Sequence, residues 1–576
     1  MLHQEINRKR ARESRAAIER LYITMRHLFN RGSYKPFGVS GEALRNALLT
    51  LSPEIYGSIA DEERVELDGL LYVIERLPKG IEECRFIRLI SKEGYNESNF
   101  EVIIPPKRRR NCYRIDKEQM FIELTRGRSD IYDILTHITF LYIEADKILK
   151  HSMDAKGKLR REWHKLEEIV LKEEHGEDFN IEIAYTYLST ILGRTFEETE
   201  AACRKFANST SNNSLFHITY WLGKVAIDEN REGKDREINF SFTLRERIGS
   251  HIYGEEWASN IKGFMHDRGW LNRPVHVISA NLHSVMNSLY AHAALKTTVK
   301  NHSFYEMAQL LSEPENSVLR EKVHAYASRN GMFRMDDQTQ TNISVQVINT
   351  EMLEPDTIPA EITIDRNYLN EEKPVLIIID YPFGEQGYEI MDEMLKPYYD
   401  NGKEIPMQVA SISIMGKAGI LEGKKGDIML PDAHVFEGTA DNYPLTNHLT
   451  RKDFEGHGLD VYDNGPMITV LGTSLQNREV LNYFLNSSWR AIGLEMEGAH
   501  LQKAIQSASR VRKSIDRDVI LRYAYYASDN PLITGHTLAS GSLGKDGVKP
   551  TYLITMNILN KILCPEVVVA SENVVE

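Results

Sequence analysis

Hydrophobic residues recur at helical spacing through most of the first 330 positions. The stretches AAIERLYITMRHLF and SDIYDILTHITFLYIEADKIL keep apolar side chains three or four residues apart, which predicts helices with one buried face. KGKLRREWHKLEEIVLKEE predicts another helix whose many opposite-sign neighbours suit a solvated face. The basic run PPKRRRN, residues 105–111, reads as a surface turn, with an anion or partner contact as the alternative. RPVHVISANLHSVMNSLYAHAAL predicts a short strand leading into a helix, with His283 and Ser284 at the junction. No G-x-S-x-G elbow and no partner acid accompany Ser284, so His283 reads as a structural histidine and the helical half yields no chemistry.

The pattern changes near residue 331. Residues 331–370 mix strand-like runs with Pro, Asp and Asn and read as a connecting segment. From about 371 onward, buried strand runs alternate with helices. PVLIIID precedes the helix YEIMDEMLKPYYD, and the strands VASISIM, IML, PMITV, IGLE and VILRYAYYA follow, with a helix in PTYLITMNILNKIL. The expected fold is an α/β C-terminal domain, residues 371–576, with a largely parallel or mixed central sheet flanked by helices. It follows a mainly α-helical N-terminal region, residues 1–330. In such sheets, ligands bind where strands end at their carboxyl edge.

Composition narrows the class. A chain of 576 residues exceeds one ordinary core, so several domains are expected. Hydrophobic residues at 42% and charged residues at 27% describe a folded globular protein. A net charge of -13 opposes general nucleic-acid binding, which needs a cationic surface. The four cysteines lie far apart with no metal-ligand spacing, and no apolar run is long enough to cross a bilayer. The first residues lack a signal-peptide core. These features predict a cytoplasmic protein with reduced thiols, no metal and no membrane partner.

Candidate chemistry gathers at strand ends. In GLEMEGAHLQKAI, Glu495, Met496 and Glu497 stand where a strand passes into a helix; one crossover later, YASDNPL places Ser528 and Asp529 at the end of the next strand. The loops DYPFGEQG and IMGKAG also follow strands. On residues alone, Glu497 and Gly498 also suit a helix start, and Asp529 suits a turn before Pro531.

The ordered pair GLEMEG and YASDNPL, with SIMGKAGILEGKKGDIMLPDAH before it, resembles the nucleoside phosphorylase and nucleosidase superfamily over about residues 371–565. That superfamily includes purine nucleoside phosphorylases, methylthioadenosine/S-adenosylhomocysteine nucleosidases and AMP nucleosidases. The resemblance implies cleavage of the N-glycosidic bond of a purine nucleoside or nucleotide. Glu497 would bind the ribose hydroxyls, Met496 would pack on the sugar, and Asp529, positioned by Ser528, would act as general acid to the base. Gly416 and Lys417 would belong to the substrate loop. Glu385 would activate water in a nucleosidase. The loop around it lacks Lys and Arg, which favours hydrolysis over phosphorolysis; its Tyr381-Pro382-Phe383 departs from the superfamily pattern. No cofactor is implied, and inorganic phosphate would be a co-substrate only in a phosphorylase, with Lys417 its natural contact. A non-catalytic nucleoside-binding regulatory protein is the other alternative. By analogy the chain would form a homo-oligomer.

Overall fold

The computed structural model describes residues 2–108, 110–208, 213–299, 302–439, 441–533 and 543–565. The chain divides into two compact units. One gathers residues up to Ile252 with Glu437–Thr439 and Val470–Tyr483; the other takes Tyr253–Phe436, Ala440–Thr469 and Phe484 onward.

The first unit is mainly helical, as its apolar periodicity predicts. Its central helix, Arg128–Ser152, is buried along nearly its whole length, and Arg161–His175 buries only Trp163, Leu166, Ile169 and Val170, leaving a charged face outside. The unit also holds a six-stranded sheet that the local pattern does not announce. Phe86–Ile90 pairs parallel with both Gln119–Glu123 and Glu237–Phe240. The run at 105–111 is not a plain surface turn: Arg110 is buried and paired with two aspartates, while Arg109 lies outside the described residues.

The second unit is α/β with a mixed sheet of twelve strands. Its principal strands are β1 (Val275–Ser279), β2 (Val345–Asn349), β3 (Val375–Ile379), β4 (Val409–Ile420), β5 (Pro466–Thr469), β6 (Gly493–Glu495) and β7 (Ile520–Asp529). The helices used below are α1 (Leu282–Leu295), α2 (Gln386–Met394), α3 (Gly498–Gln506) and α4 (Val548–Leu563). The division between units therefore falls near residue 252 and not near 330. The reason is β1, which pairs parallel with β3 on one side and β4 on the other and so lies inside the sheet. The segment 331–370 contributes to the same sheet, because β2 pairs antiparallel with β3.

Strands β1 and β3 are buried on both faces, which explains the unbroken apolar run of β3, while β1 also buries His276 and Ser279. The side chains of β4 alternate between two cores. Ile412, Ile414 and Ala418 face one, with α2 and α3; Met415 faces the other, with α1 and α4. The sheet is not simply parallel where β4 ends. β7 runs parallel to β4, while β6 pairs antiparallel with the last residues of β4. Among the described residues, no helix is long and apolar enough to cross a membrane. The four cysteines are unpaired, three of them buried.

Candidate functional site

The junction at residues 493–499 is built by capping. A helix start leaves four amide donors unsatisfied, and here strand side chains take them. Glu495, 3% exposed, accepts hydrogen bonds from the Glu497 and Gly498 backbone N–H groups and from the Thr469 hydroxyl. Thr469 Oγ1 accepts the Ala499 N–H at 2.9 Å. Burial still pushes Glu495 up to about 7, against those donors. Glu495 is thus the anchor of the turn. The close approach also requires Gly498, because a Cβ there would stand 2.1 Å from the His434 ring. His434 is fully buried, lies 3.1 Å from the Tyr525 hydroxyl and is held down to about 3 by burial, so it stays neutral.

Glu497, anchored by Glu495, points elsewhere. Its Oε1 accepts the Gly384 N–H at 2.9 Å, which ties the loop after β3 to the start of α3. The residue is partly exposed, but burial of its carboxyl group and then the Glu495 carboxyl push it up to about 8. Near neutral pH it is mainly a carboxylic acid, able to donate and to accept a hydrogen bond. Met496 is buried beside it at 7% exposure.

Asp529 ends β7. The register slips between Ala418 and Gly419, so Ala527 faces Ala418 and Asp529 faces Gly419, with Ser528 bulged between them. Ser528 Oγ lies 3.1 Å from the Ala418 carbonyl oxygen and within hydrogen-bond reach of Asp529 Oδ1. Asp529 is 1% exposed. Gly426 and Asp427 clamp this strand end: Gly426 N–H donates to the Ala527 carbonyl at 2.9 Å, and Ala527 N–H to the Asp427 carbonyl at 2.8 Å. Gly419 faces Asp529 on one side and Leu494 on the other. The two chain segments are therefore separated by one strand, about 10 Å at ordinary strand spacing.

The remaining expected residues divide. Gly416 lies on the α2–α3 face; a Cβ there would stand 3.7 Å from the Tyr525 ring and 3.9 Å from the Tyr381 ring, ordinary contacts. Packing does not force that glycine, and its flat surface lies between two aromatic rings. Lys417 is exposed and faces the opposite side, where it lines a cavity of about 490 Å³ with Asn281, His283, Arg320, Tyr526 and Thr551. Arg320 is committed to the carbonyls of Leu311 and Glu313 at 3.0 and 2.6 Å and of Pro314 at 3.0 Å. Glu385 precedes α2 and acts electrostatically on His500, which burial holds down to about 4. Ser284 is buried, with its hydroxyl 3.2 Å from the Asn281 carbonyl, whereas His283 is exposed and lines the cavity, so it is not the structural histidine expected there.

Three residues here were not singled out from sequence. Asn281 caps α1 by accepting the Ser284 N–H at 2.8 Å and meets the Tyr381 hydroxyl; an Asn before a helical run is a recognisable cap signal. Tyr525 and His434 carried no such signal, being ordinary members of apolar strands.

The class defined here is an α/β domain on a mixed sheet, with carboxylates at its strand ends. The chain belongs to the family of unknown function DUF6909, which it matches over residues 42–298 and 291–564. No curated protein matches the sequence. Among solved structures, the chain is similar to a 5'-methylthioadenosine/S-adenosyl homocysteine nucleosidase of Campylobacter jejuni, at 10% identity over 50% of this chain and 99% of that one, TM-score 0.30. It is also similar to the futalosine hydrolase of Helicobacter pylori (11% identity, 50% and 97% covered, TM-score 0.29). A Schistosoma mansoni uridine phosphorylase in complex with thymidine is similar at 11% identity, with 52% and 89% covered and a TM-score of 0.30. At these scores the likenesses carry no functional weight.

Proposed function

We propose that the second unit cleaves the N-glycosidic bond of a purine nucleoside or nucleotide, by hydrolysis. The observation that carries this reading is the junction itself: a buried glutamate spent entirely on anchoring the turn, so that Glu497 is held beside the Gly384 loop, one strand from the Ser528–Asp529 pair. Glu497 engages the ribose hydroxyls and Met496 packs on the sugar. The Tyr381 and Tyr525 rings beside Gly416 offer flat walls to a base. As the bond from C1′ to the base breaks, its electron pair passes to the base, and Asp529, aligned by Ser528, delivers a proton to N7. A water oxygen bonds to C1′ and gives its proton to Glu385. Opposing the charge that builds on sugar and base is what lowers the barrier. Phosphorolysis is the second reading, favoured by Lys417 in its polar cavity.

Paired ribo- and 2′-deoxyribonucleosides test the sugar contact. Wild-type protein is expected to release base at least about tenfold faster from the ribonucleoside, and Glu497→Gln to erase most of that preference. Equal release from both sugars by the wild type, or none from either, overturns the assignment.

A further inference from the structure

The first unit holds a charge cluster that the nucleoside reading does not use. Arg110, 6% exposed, donates from Nε and Nη2 to Asp130 at 3.1 and 2.6 Å and from Nη2 to Asp133 at 2.8 Å. Arg108 donates from Nε to Asp133 at 3.2 Å and keeps 27% of its side chain exposed. Arg76, 8% exposed, lies with its guanidinium carbon 3.4 Å from the centre of the Tyr72 ring and donates to the Tyr72 carbonyl at 2.8 Å. Among the described residues no carboxylate pairs with Arg76, and its Nε and Arg110 Nη1 are buried without a hydrogen-bond partner. The Tyr72 ring is 5.8 Å from the His137 ring, whose Nε2 is 3.4 Å from Asp133. All three arginines thus belong to one cluster, and each acts electrostatically on His137.

The pairing is incomplete. Among the described residues, only Asp130 and Asp133 make salt bridges to these guanidinium groups; Glu75 acts on Arg76 electrostatically without a salt bridge, and His137 adds no charge, because burial, opposed by Asp133 but reinforced by the three arginines, holds it down to about 3. A buried carboxylate can escape its cost by taking a proton; arginine has no such exit. The orphaned N–H groups on two buried guanidinium groups call for an acceptor, and an anion is the one that suits them. A tetrahedral oxyanion suits several guanidinium forks at once. The Tyr72 hydroxyl, near Thr473, adds a neutral polar contact, and the partly exposed Arg108 marks the solvent side.

We infer that Arg76, Arg108 and Arg110 form an oxyanion site, for inorganic phosphate or the phosphate of a monoester, separate from the residues assigned to nucleoside cleavage. The site does not depend on that assignment.

Calorimetric titration of the full chain with inorganic phosphate, at ionic strength held constant with chloride, tests it. Saturable binding is expected, weakened at least about tenfold in Arg76→Gln and in Arg108→Gln, and unchanged in Lys403→Gln, an exposed lysine with no assigned role. The Arg108 variant serves because that side chain is partly exposed and so least needed for folding. Titration with adenosine 5′-monophosphate separates the two sources. Tighter binding than phosphate, lost in the same variants, assigns a monoester; equal or weaker binding assigns free phosphate. Absence of saturable phosphate binding, wild-type affinity in both arginine variants, or loss in Lys403→Gln alone overturns the site.

Discussion

Two buried charge clusters in this chain meet the cost of burial in opposite ways. In the α/β unit, Glu495 and Glu497 sit two residues apart, and among the described residues no cation pairs with either. Their answer is to hold protons, raised to about 7 and about 8, while backbone N–H groups supply hydrogen bonds. In the helical unit, Arg76, Arg108 and Arg110 cannot discharge, so Asp130 and Asp133 are drawn in beside them, and Asp133 is held well below the usual carboxylate range. An acidic pair can therefore stay poised between charge states near neutral pH, a useful property for the proposed sugar contact. An arginine cluster is fixed in charge, which suits holding an anion.

The sharpest way to break the comparison is at the proposed general acid. Asp529→Asn is expected to lower base release by about 10²–10⁴-fold, the usual worth of a positioned acid, with the circular dichroism spectrum unchanged. Retained release removes Asp529 from the chemistry. Next in size, Asp133→Asn strips Arg108 and Arg110 of their shared partner and is expected to destabilise the helical unit by about 3–5 kcal/mol, read by denaturant unfolding. The corresponding change in the acidic cluster, Glu495→Gln, is expected to cost only about 1 kcal/mol, since glutamine keeps an acceptor and the lost charge is only a partial one near neutral pH. Equal costs for the two variants contradict the contrast.

The response to pH differs in sign between the clusters. Glu497 titrates near 4.5 when unfolded and near 8 when folded, so between those values the folded state holds a proton that the unfolded chain has released. Stability near α3 falls as pH rises across that window. His137 behaves conversely. Its folded value of about 3 lies below the unfolded 6.5, so stability around Arg128–Ser152 falls as pH drops from 6.5 toward 3. Amide hydrogen exchange read locally separates the two, and Glu497→Gln is expected to flatten only the first trend.

Much of the α/β unit was legible because its strands announce themselves by unbroken apolar runs and its helices by periodicity. Strand β1 was read correctly as a strand entering a helix, yet assigned to the helical half, since its partners β3 and β4 lie about a hundred residues or more away in sequence. The sheet of the helical unit escaped notice for a similar reason. Glu237–Phe240 finds Phe86–Ile90 across a long separation, and strands of two to five residues leave little pattern. Arg110 looked solvated because its partners stand 20 and 23 residues further on, where Asp130 and Asp133 read as acids of a helix start. In the candidate site, the residue types were visible, but not the division of labour. Only the hydrogen bonds show Glu495 anchoring the turn while Glu497 faces the Gly384 loop. The opposite orientations of Gly416 and Lys417 follow from strand alternation once β4 is placed.

Chromatographic measurement of free base, across a panel of nucleosides and nucleotides incubated with the folded chain, most directly tests whether the acidic junction belongs to a glycosidic-bond-cleaving site. Run with and without inorganic phosphate, it is expected to show release of a purine base at a rate indifferent to phosphate. Release that requires phosphate would replace hydrolysis by phosphorolysis, and a panel with no base released in either condition would contradict the proposed function outright.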